Sequence, residues 1–141
     1  MKIIECTTKD QLIDHYYIRK VVFIDEQYLS FDEEFDFVEK ERTPFVVYDG
    51  AKPVATARLN IQKEYTKIER VCVLKEYRNK NIGLMLMKHL LDICERKYIS
   101  EVIISAQVQA LAFYEKLGFE KFGEQFLDAD IPHYKMKKNL C

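Results

Sequence analysis

The stretch "RVCVLKEYRNKNIG", residues 70–83, joins two unlike patterns. Before it, residues 65–74 alternate Ile68, Arg70 and Cys72 with Glu69, Val71 and Val73, which is the two-residue period of a strand. After it, Ile82, Met85, Leu86, Leu90 and Ile93 recur at helical spacing through about residue 96. A strand, a basic turn and a helix start leave several backbone N–H groups without intrahelical acceptors, and such groups receive phosphate oxygens. Arg78 and Lys80 add positive charge, while Gly83 permits close backbone approach. The turn therefore reads as an anion cradle. It lacks the Gly-Lys-Ser/Thr ending of a phosphate-binding loop and the three glycines of a dinucleotide fingerprint.

Working outward, residues 2–6 read as an opening strand, and "TTKDQ" offers Thr8 as a helix cap with Gln11 three positions on. Ile13, Tyr17, Val21 and Ile24 predict the inward stripe of a helix ending near Gln27. Residues 28–43 carry no sustained period and leave room for a short second helix. "FVVY", the turn "DGAKP" and "VATARLNI" predict a hairpin whose second strand has unlike faces. "SEVIISAQ" reads as a central strand, and Ala110, Phe113, Tyr114 and Leu117 as a short helix that Gly118 terminates. Two last strands meet around residues 128–132. The order strand, one or two helices, three strands, helix, strand, helix, two strands predicts an α/β (α+β) fold.

A chain of 141 residues suits one domain over 1–141. The chain is 48% hydrophobic and 32% charged, the balance of a soluble globular protein, and no stretch approaches a membrane span or a secretory signal, so the cytoplasm is the default. Cys6, Cys72, Cys94 and Cys141 have no metal-site spacing, no His/Cys set converges, and no metal is expected. The net charge of −1 hides a polar distribution: residues 25–41 hold eight acids and one lysine, leaving about +6 elsewhere. That distribution argues against an extended nucleic-acid footprint, as the lack of an apolar span argues against a membrane partner; it reads either as a solvated acidic loop or as a cation site beside the anion cradle.

Between "RVCVL" and the long helix, the cradle resembles that of the GNAT superfamily of acetyl-coenzyme-A-dependent N-acyltransferases, whose loop runs Arg/Gln-x-x-Gly-x-Gly/Ala. Arg78 and Gly83 match that pattern, and Asn81 stands where a glycine is usual, a residue that tolerates left-handed backbone angles. "QVQALAFYEKLGF" resembles the superfamily's second signature; "VVFIDEQ", "DEEFD" and "IPHYKM" resemble its small bacterial YjcF/ElaA-like branch. The resemblance implies a mixed, mostly antiparallel sheet of about six to seven strands flanked by about four helices.

The resemblance also implies acetyl-CoA as cofactor, held by Arg78, Asn79, Lys80, Asn81, Ile82, Gly83 and Leu84, by the strand Val71, Cys72 and Val73, and beside Ala110 and Phe113. It implies Tyr114 as the acid that protonates the departing thiolate and the Val73 amide as an oxyanion donor. An ammonium acceptor must first lose a proton; the candidate bases are Glu69, also readable as an exposed strand acid or salt-bridge partner, and Glu34 or Asp36, with Glu26 a further catalytic candidate lining the same cleft. Glu34, Asp36 and His133 are candidates for the acceptor pocket, whereas His15 and His89 read as structural or solvated, and Arg58 and Arg70 as salt-bridging. The activity implied is acetyl transfer to a primary amine of a cationic small molecule, amino sugar, polyamine or exposed lysine. The competing reading is an acyl-CoA-binding sensor with little transfer. A homodimer is an expectation of the resemblance, although the terminal strands can equally close within one subunit.

Overall fold

The computed structural model describes residues 1–36 and 38–140, so Cys141 lies outside the described residues. In chain order the elements are β1 (Lys2–Glu5), α1 (Lys9–Arg19), a π-helical segment Lys20–Glu26, α2 (Phe31–Glu34), β2 (Thr43–Asp49), β3 (Lys52–Ile61) and β4 (Thr66–Val73). There follow α3 (Ile82–Arg96), β5 (Glu101–Gln107), α4 (Leu111–Lys116), β6 (Glu120–Asp128) and β7 (Ile131–Asn139). Among the described residues seven strands form one sheet in the order β1-β2-β3-β4-β5-β7-β6. Every neighbouring pair is antiparallel except β4 and β5. The mixed, mostly antiparallel sheet is the one the resemblance implied, and β5 is central as its two apolar faces required.

The long helix α3 behaves as its period dictates: Ile82, Leu86, Met87, Leu90, Leu91 and Cys94 are buried against Val54, Ala57, Ile68, Val102 and Ile104. Each such aliphatic side chain stabilises the fold by about 1.5–3 kcal/mol. The opposite face of the sheet carries a smaller apolar cluster of Ile18, Val22, Val46, Cys72 and Leu74 beneath α1 and the π-helical segment.

Helix α1 begins where expected, with Thr8 and Gln11 closing a capping box. Its inward face is not the one the apolar period predicts. Ile13 and Tyr17 are each 51% exposed, while His15, Ile18 and Arg19 are fully buried. The reason lies in the strand beneath: β3 is buried on both faces from Val54 to Asn60, and its polar members Thr56 and Arg58 require polar partners. The helix turns its own polar residues inward to meet them. The π-helical winding at Lys20–Glu26 then changes the phase, so Val22 is buried.

A second departure lies in β4. Arg58 opposes Glu69 and Thr56 opposes Cys72, so β4 carries one residue more than β3 between the two pairs. The extra residue is Arg70, which takes a left-handed φ of 57°. This bulge shifts the alternation by one place. Ile68 therefore packs on the α3 side and Cys72 on the α1 side, although the sequence period put both on one face.

Candidate active site

The same bulge opens the sheet. β4 and β5 pair only at Thr66 with Val102 and Lys67 with Ile103, and beyond these residues they separate. The gap is a cleft of about 1070 Å³ whose lining includes Arg70–Val73 on one side and Ile103–Gln107 on the other. At one end the cleft reaches Asn81–Leu84, Phe113 and Tyr114; at the other it reaches Leu29, Glu33, Glu34, Asp128, Ile131 and His133. It thus runs through the sheet, open to the α3 side and to the α2 side.

At the α3 end the chain supplies backbone. Asn79 and Asn81 both adopt left-handed φ, 63° and 62°, performing at these positions the task usually given to glycine. Asn81 precedes α3 without a side-chain cap, and the first helical hydrogen bond closes from the Met85 N–H to the Asn81 carbonyl. The amides of Ile82, Gly83 and Leu84 consequently point out of the helix start toward the cleft. A methyl group at Gly83 would stand 3.6 Å from Phe113 and 3.7 Å from Val73, ordinary contact distances. A methyl group would therefore rest against these two cleft-lining side chains without displacing them.

Along β4 the Leu74 N–H donates to the Val54 carbonyl. Because strand N–H groups alternate in direction, those of Val73 and Val71 point the other way, into the cleft. Cys72 lines the cleft while its side chain packs in the α1-side cluster, and its backbone N–H points with that of Leu74 toward β3. Its thiol is pushed far up by burial.

Arg78 is not a free cation. Its Nε donates to the Val73 carbonyl at 3.0 Å, and its two terminal nitrogens grip both oxygens of Glu26 at 2.5 and 2.6 Å. The hydrogen bonds from Arg78 hold the Glu26 carboxyl below its usual range. These two residues, separated by 52 positions, tie the π-helical segment to the cradle. Lys80 lies over the Tyr77 ring at 5.2 Å, leaving its charge at the loop surface.

Tyr114, on α4, lines the cleft and packs edge-on against Phe113 and Phe119. Its hydroxyl has no hydrogen-bond partner among the described residues, and burial pushes its pKa well above the usual tyrosine value. It stays protonated at any physiological pH. Ala110 lines the cleft just before this helix.

The α2 end is built of charged side chains held by other charged side chains. Glu34, fully buried, receives Arg19 Nε at 2.7 Å and stands 3.1 Å from Arg70 Nε, while its backbone carbonyl accepts from Arg19 at 2.8 Å and Arg70 at 3.1 Å. Burial pushes the Glu34 carboxyl up, and Arg70 and Arg19 oppose that shift. Asp36 is gripped by Arg58 through both oxygens, 3.1 and 2.6 Å; burial would raise its pKa, but the Arg58 hydrogen bonds and the charges of Arg58, Arg70 and Arg19 bring it to about 2. Glu69 Oε1 accepts from Arg42 at 2.9 Å and Arg58 at 3.0 Å. Behind them, the Thr56 hydroxyl donates to the Phe45 carbonyl and so accepts from His15 Nδ1–H, leaving His15 Nε2 to accept from Arg19. Burial, Arg19, Arg58 and Arg70 lower the His15 pKa to about 3.

Sequence reasoning anticipated salt bridges for Arg58 and Arg70. It read His15 as structural or solvated, and the structural alternative is the one seen; Arg19 carried no signal. His133 is buried on β7 opposite Gln107 and Phe126, stacks on the Phe126 ring and directs Nδ1 to the Ile131 carbonyl at 2.6 Å. Among the described residues no group of three or more His, Cys, Asp or Glu is placed to hold a metal ion, and no helix is long and apolar enough to cross a membrane.

A through-sheet cleft with an uncapped helix start at one face is the architecture of an acetyl-transferring fold, and residues 11–140 match the acetyltransferase (GNAT) domain family. The chain belongs to that family. It is 41% identical over 140 residues to the uncharacterized N-acetyltransferase YjcF of Bacillus subtilis, covering 99% of this chain and 100% of that one. The crystal structure of Escherichia coli ElaA superposes with a TM-score of 0.86 at 24% identity, covering 98% and 99% of the two chains. An aminoglycoside 6'-N-acetyltransferase complexed with coenzyme A has the same fold, with a TM-score of 0.80 at 16% identity over 100% and 98%. The YjcF/ElaA-like resemblance read from the motifs holds.

Proposed function

We propose that this chain transfers an acetyl group from acetyl-CoA directly to a primary amine. The observation that carries the reading is the cleft between β4 and β5, entered at one face past outward-pointing amides and at the other past a pocket wall. Acetyl-CoA, when bound, supplies the activated thioester. The amides of Ile82, Gly83 and Leu84, with Lys80, suit its diphosphate, and the cleft-facing amides of Val71 and Val73 suit the carbonyls of its extended arm. The Val73 amide is the candidate donor to the developing oxyanion. Tyr114 gives its phenolic proton to the departing sulfur: its hydroxyl is protonated, has no partner among the described residues and stands on the cleft wall. Arg78 acts on the cofactor through the cradle it orients.

The amine acceptor then enters from the α2 side. Glu34 and Asp36 are bound to arginines, so neither adds an uncompensated charge that would favour a cation. The panel to be tested holds small cationic amines, amino sugars, polyamines and exposed lysines. Purified protein is incubated with acetyl-CoA and each amine, and both free thiol and acetylated product are measured. Tyr114→Phe is expected to lower kcat about 100-fold while leaving the cofactor Kd unchanged. Unchanged turnover removes the acid role. Cofactor binding without acetylated product across the panel favours a sensor, and no cofactor binding defeats both readings.

A further inference from the structure

The four carboxylates that the sequence offers as bases or acceptor contacts are all engaged by arginine: Glu26 by Arg78, Glu34 by Arg19 and Arg70, Asp36 by Arg58, and Glu69 by Arg42 and Arg58. A carboxylate so bound breaks charge-assisted hydrogen bonds when it takes a proton, and Glu34, whose carboxyl burial pushes up, is itself sealed from solvent with a side chain only 2% exposed. Two other acids line the α2 end. Glu33 accepts from the Ser30 N–H as part of the α2 cap, and Asp128 is exposed at the end of β6, opposite Ile131 and outside the buried part of the cleft. The deprotonation step needs a different group.

His133 has the geometry. Its Nδ1 lies 2.6 Å from the Ile131 carbonyl, an oxygen that only accepts, so the proton sits on Nδ1 and the Nε2 lone pair is exposed for use. Nε2 has no hydrogen-bond partner among the described residues, although the side chain is 8% exposed and lines the cleft. The ring is fixed by stacking on Phe126, and its register opposite Gln107 sets it beside the separated end of β5. The charged and titratable groups sharing its surroundings are Lys135 two residues along β7, Asp128 at the end of β6, Glu33, Glu34 and Arg70 on the facing wall, and Tyr114 from α4. The Val108–Ala110 turn packed against β7 adds none.

Resting on the amine-acetylation reading above, we propose that His133 Nε2 is the general base that takes the proton from the acceptor ammonium. The step balances. The ammonium N–H bond breaks and its proton moves to Nε2, leaving a neutral amine whose lone pair forms the C–N bond as the C–S bond breaks. Tyr114 protonates the sulfur and recovers the second proton from the new amide nitrogen, while imidazolium returns its proton to solvent. Imidazole is the side chain whose ordinary titration falls nearest neutrality, which suits reversible exchange.

The test uses the amine from the panel that the native protein acetylates best, and methoxyamine, whose nitrogen is already neutral at the assay pH. His133→Gln is expected to lower kcat/KM for the amine about 100-fold or more and to leave methoxyamine turnover within about threefold. In His133→Ala, added imidazole is expected to restore rate in proportion to its free-base concentration. Cofactor Kd and thermal midpoint are measured on both variants. Near-native amine turnover by His133→Gln, equal losses for amine and methoxyamine, or loss without imidazole rescue each overturns the assignment. If the native protein acetylates none of the panel, the functional reading itself falls and the base with it; if it does and the variants behave natively, the base alone falls.

Discussion

At the α3 end the cleft presents amides whose direction is set by helix and strand geometry; at the α2 end it presents guanidinium and carboxylate groups whose direction is set by one another. A backbone surface of the first kind tolerates side-chain change, because its donors remain when the side chains alter. A surface of the second kind is cooperative: removing one charge leaves its buried partner exposed to the full desolvation penalty. The two ends should therefore fail differently, one in affinity and the other in stability.

The largest expected effect follows at Glu34. Glu34→Ala leaves Arg19, with a fully buried side chain, and Arg70 facing a cavity where a carboxylate stood. Breaking such a buried pair from one side destabilises by about 3–5 kcal/mol. Urea unfolding should show this as a lower midpoint with little change in slope, while the folded fraction binds acetyl-CoA with near-native affinity. A loss under about 1 kcal/mol would mean the arginines find other partners and the contrast between the ends is false.

Gly83 tests the other end. Its helical backbone and the open contacts around it mean that Gly83→Ala fits the protein alone, with an expected gain of up to about 1 kcal/mol in stability from helix propensity. The added methyl occupies the approach to the cradle, so acetyl-CoA affinity should fall about tenfold, or about 1.4 kcal/mol. Calorimetry and thermal melting on the same sample read the two effects, and their opposite signs are what separates a ligand surface from a structural one. Unchanged affinity would remove close backbone approach from the account of this glycine.

How far each end is legible in sequence follows from the same contrast. The cradle is local: a strand, two left-handed asparagines, a glycine and a helix start lie within about a dozen consecutive residues, and short-range pattern describes them. The network is not: Arg19 meets Glu34 across 15 positions, Arg58 meets Asp36 across 22 and Arg78 meets Glu26 across 52. No periodicity encodes such partners. Hydrophobic spacing positively misleads on α1, where Ile13 and Tyr17 face out because Thr56 and Arg58 demand polar cover. The bulge at Arg70 is likewise invisible, since an arginine is not a residue from which a left-handed angle is expected, yet it decides which β4 side chains meet the cleft. His133 was legible as a pocket residue; that its Nδ1 is occupied and its Nε2 open depends on the turn geometry at Ile131.

The pair Arg78 and Glu26 sets a contact of the second kind against the cradle of the first, and there the comparison is sharpest. If the guanidinium fixes the cradle through the Val73 carbonyl, then Glu26→Gln, which loses one charge and the two-oxygen grip, loosens the loop and weakens acetyl-CoA binding about threefold. If the guanidinium instead swings onto the diphosphate, freeing it from Glu26 strengthens binding and steepens its salt dependence, because an unneutralised cation is added to the site. The two outcomes have opposite signs, so titration calorimetry at two salt concentrations decides between them even though the effect is small. We expect weakening with an unchanged salt slope. The bidentate pair places Glu26 and Arg78 in mutual contact without a ligand, and no rearrangement of the loop is needed for the amides of Ile82 to Leu84 to reach an anion.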